Sequence, residues 1–365
     1  MTVISLCLFI YSLIIFINMS LRAIVPIIHG GWDARFIWHV KAKFLFRDVL
    51  LWKNLYSPLI SWTHPDYPLL LPGAIAWGWN WLGQELFAWP GALSMTFLAC
   101  MVIALLWHFS AIGALWAGLM AACVLINNHY LLFWTYEQYA DIPLALFILL
   151  ATVFALQTLR HKSFHAAALT GLFCGYSLWT KLEGLFFTTF MFSLLLVYLW
   201  RDSSIDKKMK IKYLLCFIAA AAIPVAAFLF QKLLFAPSGD YWGSGRSLQD
   251  YSQAIFNFHR IRVVIMVFLM YLFRAPSWNG FWIFFVIAIV YRRFFLKQDS
   301  PLKFGWFPLI LTLLMCVGYG FVLLISPFNL MMQIDTALQR LILHASMPAI
   351  IFMFESLRPS VEIKR

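Results

Sequence analysis

The chain has 365 residues, of which 63% are hydrophobic and only 12% charged, and its formal net charge is +12. A soluble domain carries roughly 25% charged residues, so this composition excludes a globular core wrapped in a polar surface. A nucleic-acid partner is excluded too, because no basic domain exists to hold the footprint; the excess positive charge reads instead as short loops on the inner side of a membrane.

The apolar residues come in long blocks, and a span needs about 20 mainly apolar residues with a lower limit near 17. They predict an all-α polytopic membrane protein, one domain over 1–365, with about ten transmembrane helices and external juxtamembrane helices. The first helix covers 3–19. It lacks a basic n-region and no small-x-small cleavage site follows, so it reads as a retained span rather than a signal peptide. A first external loop with interfacial helices runs over 20–85. Within it, Tyr67 to Leu82 carries Pro68, Pro72 and Gly73, then Trp77, Trp79 and Trp81. Proline and glycine break helices and Trp favours the membrane–water interface, so this stretch does not cross. Spans follow at 86–107, 111–128, 142–159, 165–180, 184–200 and 213–235. A second external connection covers 236–278 and includes Val263 to Phe273, which is too short to cross. The last spans are 279–295, 305–326 and 341–356.

With both ends cytoplasmic, every basic loop falls on one side: Arg160 with Lys162; Lys207, Lys208, Lys210 and Lys212; Arg292, Arg293, Lys297 and Lys303; and Arg358, Lys364 and Arg365. Six cysteines sit in apolar blocks without CxxC spacing and read as packing residues, not as disulfides or a zinc site. The same register brings Asp33, His64, Glu137, Asp141, Lys181, Glu183, Asp335 and Arg340 to the external side from five separate segments. Ionisable groups gathered at membrane depth are usually functional.

Each segment also has a plainer reading. Gly30-Gly31-Trp32-Asp33 precedes a helix on which Arg35, His39, Lys43 and Arg47 recur every fourth residue, a basic stripe suited to headgroups or a lipid phosphate; Asp33 could simply cap that helix. Thr63-His64-Pro65-Asp66-Tyr67-Pro68 forms a rigid turn, with His64 either in the site or bonded to backbone. Glu137 and Asp141 stand four apart at the mouth of a span, where Asp141 could be a cap with Pro143 in the first turn. Lys181 beside Glu183, and Arg340 before the last helix, could bind phosphate or snorkel.

Taken in order, the five pieces resemble the GT-C superfamily of membrane glycosyltransferases. The likeness is to bacterial proteins of the dolichyl-phosphate-mannose–protein mannosyltransferase type and to lipid A aminoarabinose transferases. The matching pieces are Gly31-Trp32-Asp33, His64-Pro65-Asp66-Tyr67-Pro68, Tyr139-Ala140-Asp141-Ile142-Pro143, Lys181-Leu182-Glu183-Gly184 and Arg340-Leu341-Ile342-Leu343. The chain departs in having Asp33-Ala34 where many relatives carry Asp-Glu, and His64-Pro65-Asp66 where many carry His-Pro-Pro. The resemblance implies transfer of a sugar, with inversion, from a polyprenyl-phosphate-type lipid to an external glycan, lipid or protein acceptor. It implies a bacterial inner membrane with the site on the periplasmic face. Asp33 is then the candidate base, supported by Asp141. Lys181, Arg340 and Arg35 are candidates for the donor phosphate, and His64, Tyr67, Glu137 and Glu183 shape the acceptor side. A divalent metal held by Asp141 and Glu137 is an open option. The competing reading is a transporter of a lipid-linked or hydrophobic substrate, which calls for polar groups near the midplane and paired broken helices.

Overall fold

The computed structural model describes residues 1–24, 28–47, 50–237, 247–273, 278–296 and 304–357. Lys297, Lys303, Arg358, Lys364 and Arg365, assigned above to inner loops, lie outside the described residues, as do parts of the second connection. Every regular element among the described residues is helical.

The first helix, α1 (Thr2–Ile24), is followed by a single π turn, Ala34–Trp38, running straight into α2 (His39–Arg47), then two 3₁₀ turns, Trp52–Tyr56 and Pro58–Thr63, and α3 (Leu70–Leu82). With 13 residues, α3 reaches about 20 Å, short of the roughly 30 Å of bilayer hydrocarbon. The bundle continues with α4 (Ala88–Ala111), α5 (Leu115–Ile126), α6 (His129–Tyr136), α7 (Asp141–His161), α8 (Phe164–Thr180), α9 (Glu183–Arg201) and α10 (Lys207–Leu234). Then come α11 (Leu248–Ile255), α12 (Phe258–Phe273), α13 (Phe281–Phe295), α14 (Phe307–Ile325) and a helix we call α15 (Leu330–Ser356), which contains a second π turn at Ile334–Leu338.

Among the described residues, seven helices are long and apolar enough to cross a membrane, or nine if each of two bent pairs counts as one span. The chain is a polytopic membrane protein. The expected ten is not reached by these criteria, for two physical reasons. Expected spans 165–180 and 279–295 fold as α8 and α13, of 17 and 15 residues. The expected span 111–128 breaks at Asn127-Asn128, where α5 and α6 bend by 60° because the Asn128 side chain accepts from Leu131 N and starts a new helix. The stretch 263–273 lies in α12, which meets α11 at 53°.

Burial sorts the helices. In α7, 78% of the apolar window is buried, and in α15 83%, so these two form the centre; in α1 only 6% is buried, and its apolar side chains face outward. Around the centre, α8 and α10 approach most closely. Gly171 and Gly175 on α8 form a G-x-x-x-G face, and a Cβ added to Gly171 would stand 2.0 Å from the Phe217 carbonyl oxygen of α10. Small residues at such spacing are what let membrane helices touch backbone to backbone.

The two ends of the bundle differ. At one end Arg160, from the last turn of α7, grips buried Glu355 of α15 through two bonds of 2.8 and 2.6 Å, and His108 of α4 adds a third at 2.8 Å. Arg292 of α13 packs beside them, over the rings of Trp306 and Phe352. The opposite end, at the start of α7, carries the cluster described next.

Candidate functional site

Asp141 is the first residue of α7 and is wholly buried. A buried carboxylate persists only when paired and hydrogen-bonded. Its Oδ1 accepts from Lys181 Nζ at 2.9 Å and lies 3.2 Å from His344 Nε2, while Arg340 Nη1 stands 3.7 Å from Oδ2. Lys181 is delivered by the end of α8, where the backbone turns extended (φ −157°, ψ 151°), and it also pairs with Glu183 Oε1 at 2.9 Å. Burial alone would lower the basicity of Lys181, but the Asp141 and Glu183 carboxylates outweigh it and raise the pKa.

Arg340 comes from α15, one helical turn before His344. Its Nη1 donates to Asp33 Oδ2 at 2.5 Å. Its guanidinium also lies over Trp134 and Tyr139, 5.6 and 5.5 Å from the ring centres, which offers a planar cation two π faces. Asp33 is placed by a loop docked on the α6–α7 turn: Gly31 N donates to Glu137 O at 3.1 Å and Asp33 N donates to Tyr139 Oη at 3.2 Å. A Cβ at position 31 would fall 1.4 Å from a Glu137 carboxylate oxygen, so a larger residue there would displace the Glu137 side chain. Burial raises the Glu137 pKa against the opposing pull of Arg35. Burial, then the nearby Asp33 charge, pushes the Tyr139 phenol up to about 12.

Four of the sequence segments therefore meet in one network of Asp33, Asp141, Lys181, Glu183 and Arg340, with Glu137 at its edge. Asp33 makes no side-chain cap bond, Asp141 accepts from Lys181 through Oδ1 and has no hydrogen-bond partner at Oδ2 among the described residues, and Lys181 is buried rather than snorkelling. Arg35 does not join; it is exposed and donates to Gly31 O of its own loop at 3.3 Å. The expected basic stripe is broken as well. Arg47 is exposed and pairs with Glu85, but His39 is buried, and burial first, then Lys43 and other cations, lower its pKa to about 4. The π turn over Ala34–Trp38 takes Arg35 out of register with α2, and within α2 a four-residue spacing drifts by about 40° a step, so His39 and Arg47 do not share a face. Asp335 stays exposed.

His64 and Tyr67 form a second cluster beside the first. His64 is left-handed (φ 50°), and its ring stacks on Tyr67 at 4.8 Å. Tyr67 in turn interacts electrostatically with Arg340. Asp66, the residue that departs from His-Pro-Pro, pairs with Lys232 of α10 at 3.4 Å. Three participants were given no role from sequence: His344, Trp134 and Tyr139. His344 carried the clearest signal, a histidine four residues after Arg340 on an otherwise apolar helix face.

The two aspartates are chemically unlike. Asp33 has a side chain 20% exposed and Asp141 one 1% exposed. Asp33 can therefore meet a substrate, whereas Asp141 holds Lys181, Arg340 and His344 in place. Among the described residues no three His, Cys, Asp or Glu side chains come together as metal ligands, and Asp141, one of the two carboxylates considered for a divalent ion, is taken up by Lys181, Arg340 and His344. No family model matches the chain, and neither a curated protein nor a solved structure matches it.

Proposed function

We propose that the chain is a membrane glycosyltransferase that moves a sugar from a polyprenyl-phosphate-type lipid to an acceptor hydroxyl, with inversion. The observation that carries this reading is the meeting of Asp33, Asp141, Lys181, Glu183 and Arg340, from four distant segments, at one end of an apolar bundle. Ion pairs far apart in sequence and gathered at membrane depth are costly to assemble and are retained for function.

In this reading Asp33 takes the proton of the acceptor hydroxyl as its oxygen bonds the anomeric carbon, and the bond from that carbon to the carrier phosphate oxygen breaks, the phosphate leaving on its lipid. Arg340 and Lys181 are the cations that would meet the charge growing on the leaving phosphate, where fixed cations lower a barrier most. Both cations are held by carboxylates, so a bound phosphate would share them with Asp33 and Glu183. Arg340 would then loosen its hold on Asp33 as the base is needed.

The test is to purify the protein in detergent and offer polyprenyl-phosphate sugars with simple alcohol acceptors. The wild-type protein is expected to consume one donor, and Asp33→Asn to slow it about 10²–10⁴-fold, as for loss of a general base. A well-folded Asp33→Asn protein that keeps the wild-type rate removes Asp33 from this role. One observation favours the transporter reading, the break between α5 and α6 at Asn127-Asn128. The same assay separates the two, because a transporter leaves the donor chemically intact.

A further inference from the structure

A lysine almost never sits fully inside a protein without a carboxylate partner. Lys41 does. It is 0% exposed, and among the described residues no carboxylate lies within ion-pair distance of its ammonium. Instead Nζ donates to the carbonyl oxygen of His64 at 2.5 Å and stands over two rings, 5.8 Å from Trp38 and 5.4 Å from Tyr67. Burial lowers its pKa to about 7, only partly opposed by the more distant Asp66 and reinforced by Lys232. Such a residue weakens the fold unless it serves another purpose, since an apolar side chain of the same length would fill the space without the desolvation cost.

What Lys41 holds is informative. His64 ends the Pro58–Thr63 turn in the left-handed region, a conformation disfavoured for a residue with a side chain. Its ring stacks on Tyr67 with the planes 18° apart. The Tyr67 ring is thus fixed between His64 and the Trp38–Lys41 pair, and it packs against the cluster that holds Trp38, Leu71 and Ala140, the residue before Asp141.

We propose that Lys41 is a positioning residue of the site: by clamping the His64 carbonyl it holds the left-handed turn, and through the stack it sets Tyr67 against the cluster beside Asp141. The proposal deepens the glycosyltransferase reading and rests on it for its catalytic consequence, but the positional claim can be read without substrate.

The experiment places 3-fluorotyrosine at position 67, and in a second sample at Tyr213 near the opposite end of the bundle, and records fluorine NMR in detergent. Lys41→Met keeps the length of the side chain but removes the donor. It is expected to shift or split the position 67 resonance and leave that of position 213 unchanged. Lys41→Gln, which keeps an N–H donor, is expected to lie closer to wild type. With a turned-over donor in hand, Lys41→Met should lower kcat about 10²-fold with little change in KM, the size of effect expected from misplacing a site by about 1 Å.

An unchanged position 67 resonance in Lys41→Met overturns the proposal. So does disturbance of position 213, including outright failure to fold, because Lys41 would then be a general structural element. If the wild-type protein consumes no lipid-linked sugar, the glycosyltransferase reading falls while the fluorine result still decides what Lys41 does.

Discussion

Asp33 and Asp141 show how two identical side chains take different roles from their surroundings. Asp141 is enclosed by Lys181, Arg340 and His344, so removing its charge strands buried cations. Asp141→Asn is expected to cost about 3–5 kcal/mol, the usual penalty for breaking a buried pair, and to lower the unfolding temperature in detergent well below that of Asp33→Asn. Equal unfolding temperatures for the two variants would show that Asp141 is not the hub. The sequence made these residues visible because each stands at the edge of an apolar block, where a charge has few ordinary uses. Lys41 was missed although it left a trace. It falls four residues after Ile37 and three before Phe44, on the apolar face of α2, and not on the stripe of Arg35, Lys43 and Arg47. A stripe is found by looking for charges that agree with one another. Lys41 is found only by asking which charge disagrees with its own helix face.

Helices were legible where a block of apolar residues ran on unbroken. They were less legible where local hydrogen bonding cut a block in two, as Asn128 does between α5 and α6, because composition averaged over a window does not register one capping side chain. Packing faces were not read from the sequence at all. The G-x-x-x-G face of α8 acquires meaning only once α10 is known to lie against it, with the Phe217 and Ala221 carbonyls in the place of side chains. Gly171→Ala is expected to push α8 from α10 and to cost about 1–3 kcal/mol, the range for overpacking, read as a lower unfolding temperature. The same change at Gly73, where an added Cβ meets nothing within 4 Å, is the control. If the Gly171 variant is no less stable than the Gly73 variant, the close approach of α8 and α10 is not needed.

The whole molecule is a bundle with unlike ends, and loop charge orients it: Lys207, Lys208 and Arg293 belong to the end that holds Glu355, while Asp33, Lys181 and Arg340 belong to the other. Single cysteines at 208 and at 85, labelled in intact cells with an impermeant maleimide, are expected to react only at 85; labelling at 208 from outside inverts the orientation. Both ends are tied by the same helix. Through Arg340, α15 closes the Asp33–Asp141 network, and through Glu355 it closes the Arg160–His108 clamp. Every one of those partners precedes α15 in the chain, so the ribosome releases them first. A nascent bundle halted before α15 carries Arg160 without its carboxylate and Asp33 without its guanidinium. Such a bundle holds buried charges at both ends without their partners, the state in which a buried ion is most costly. One insertion event, that of α15, pairs the charges at both ends together.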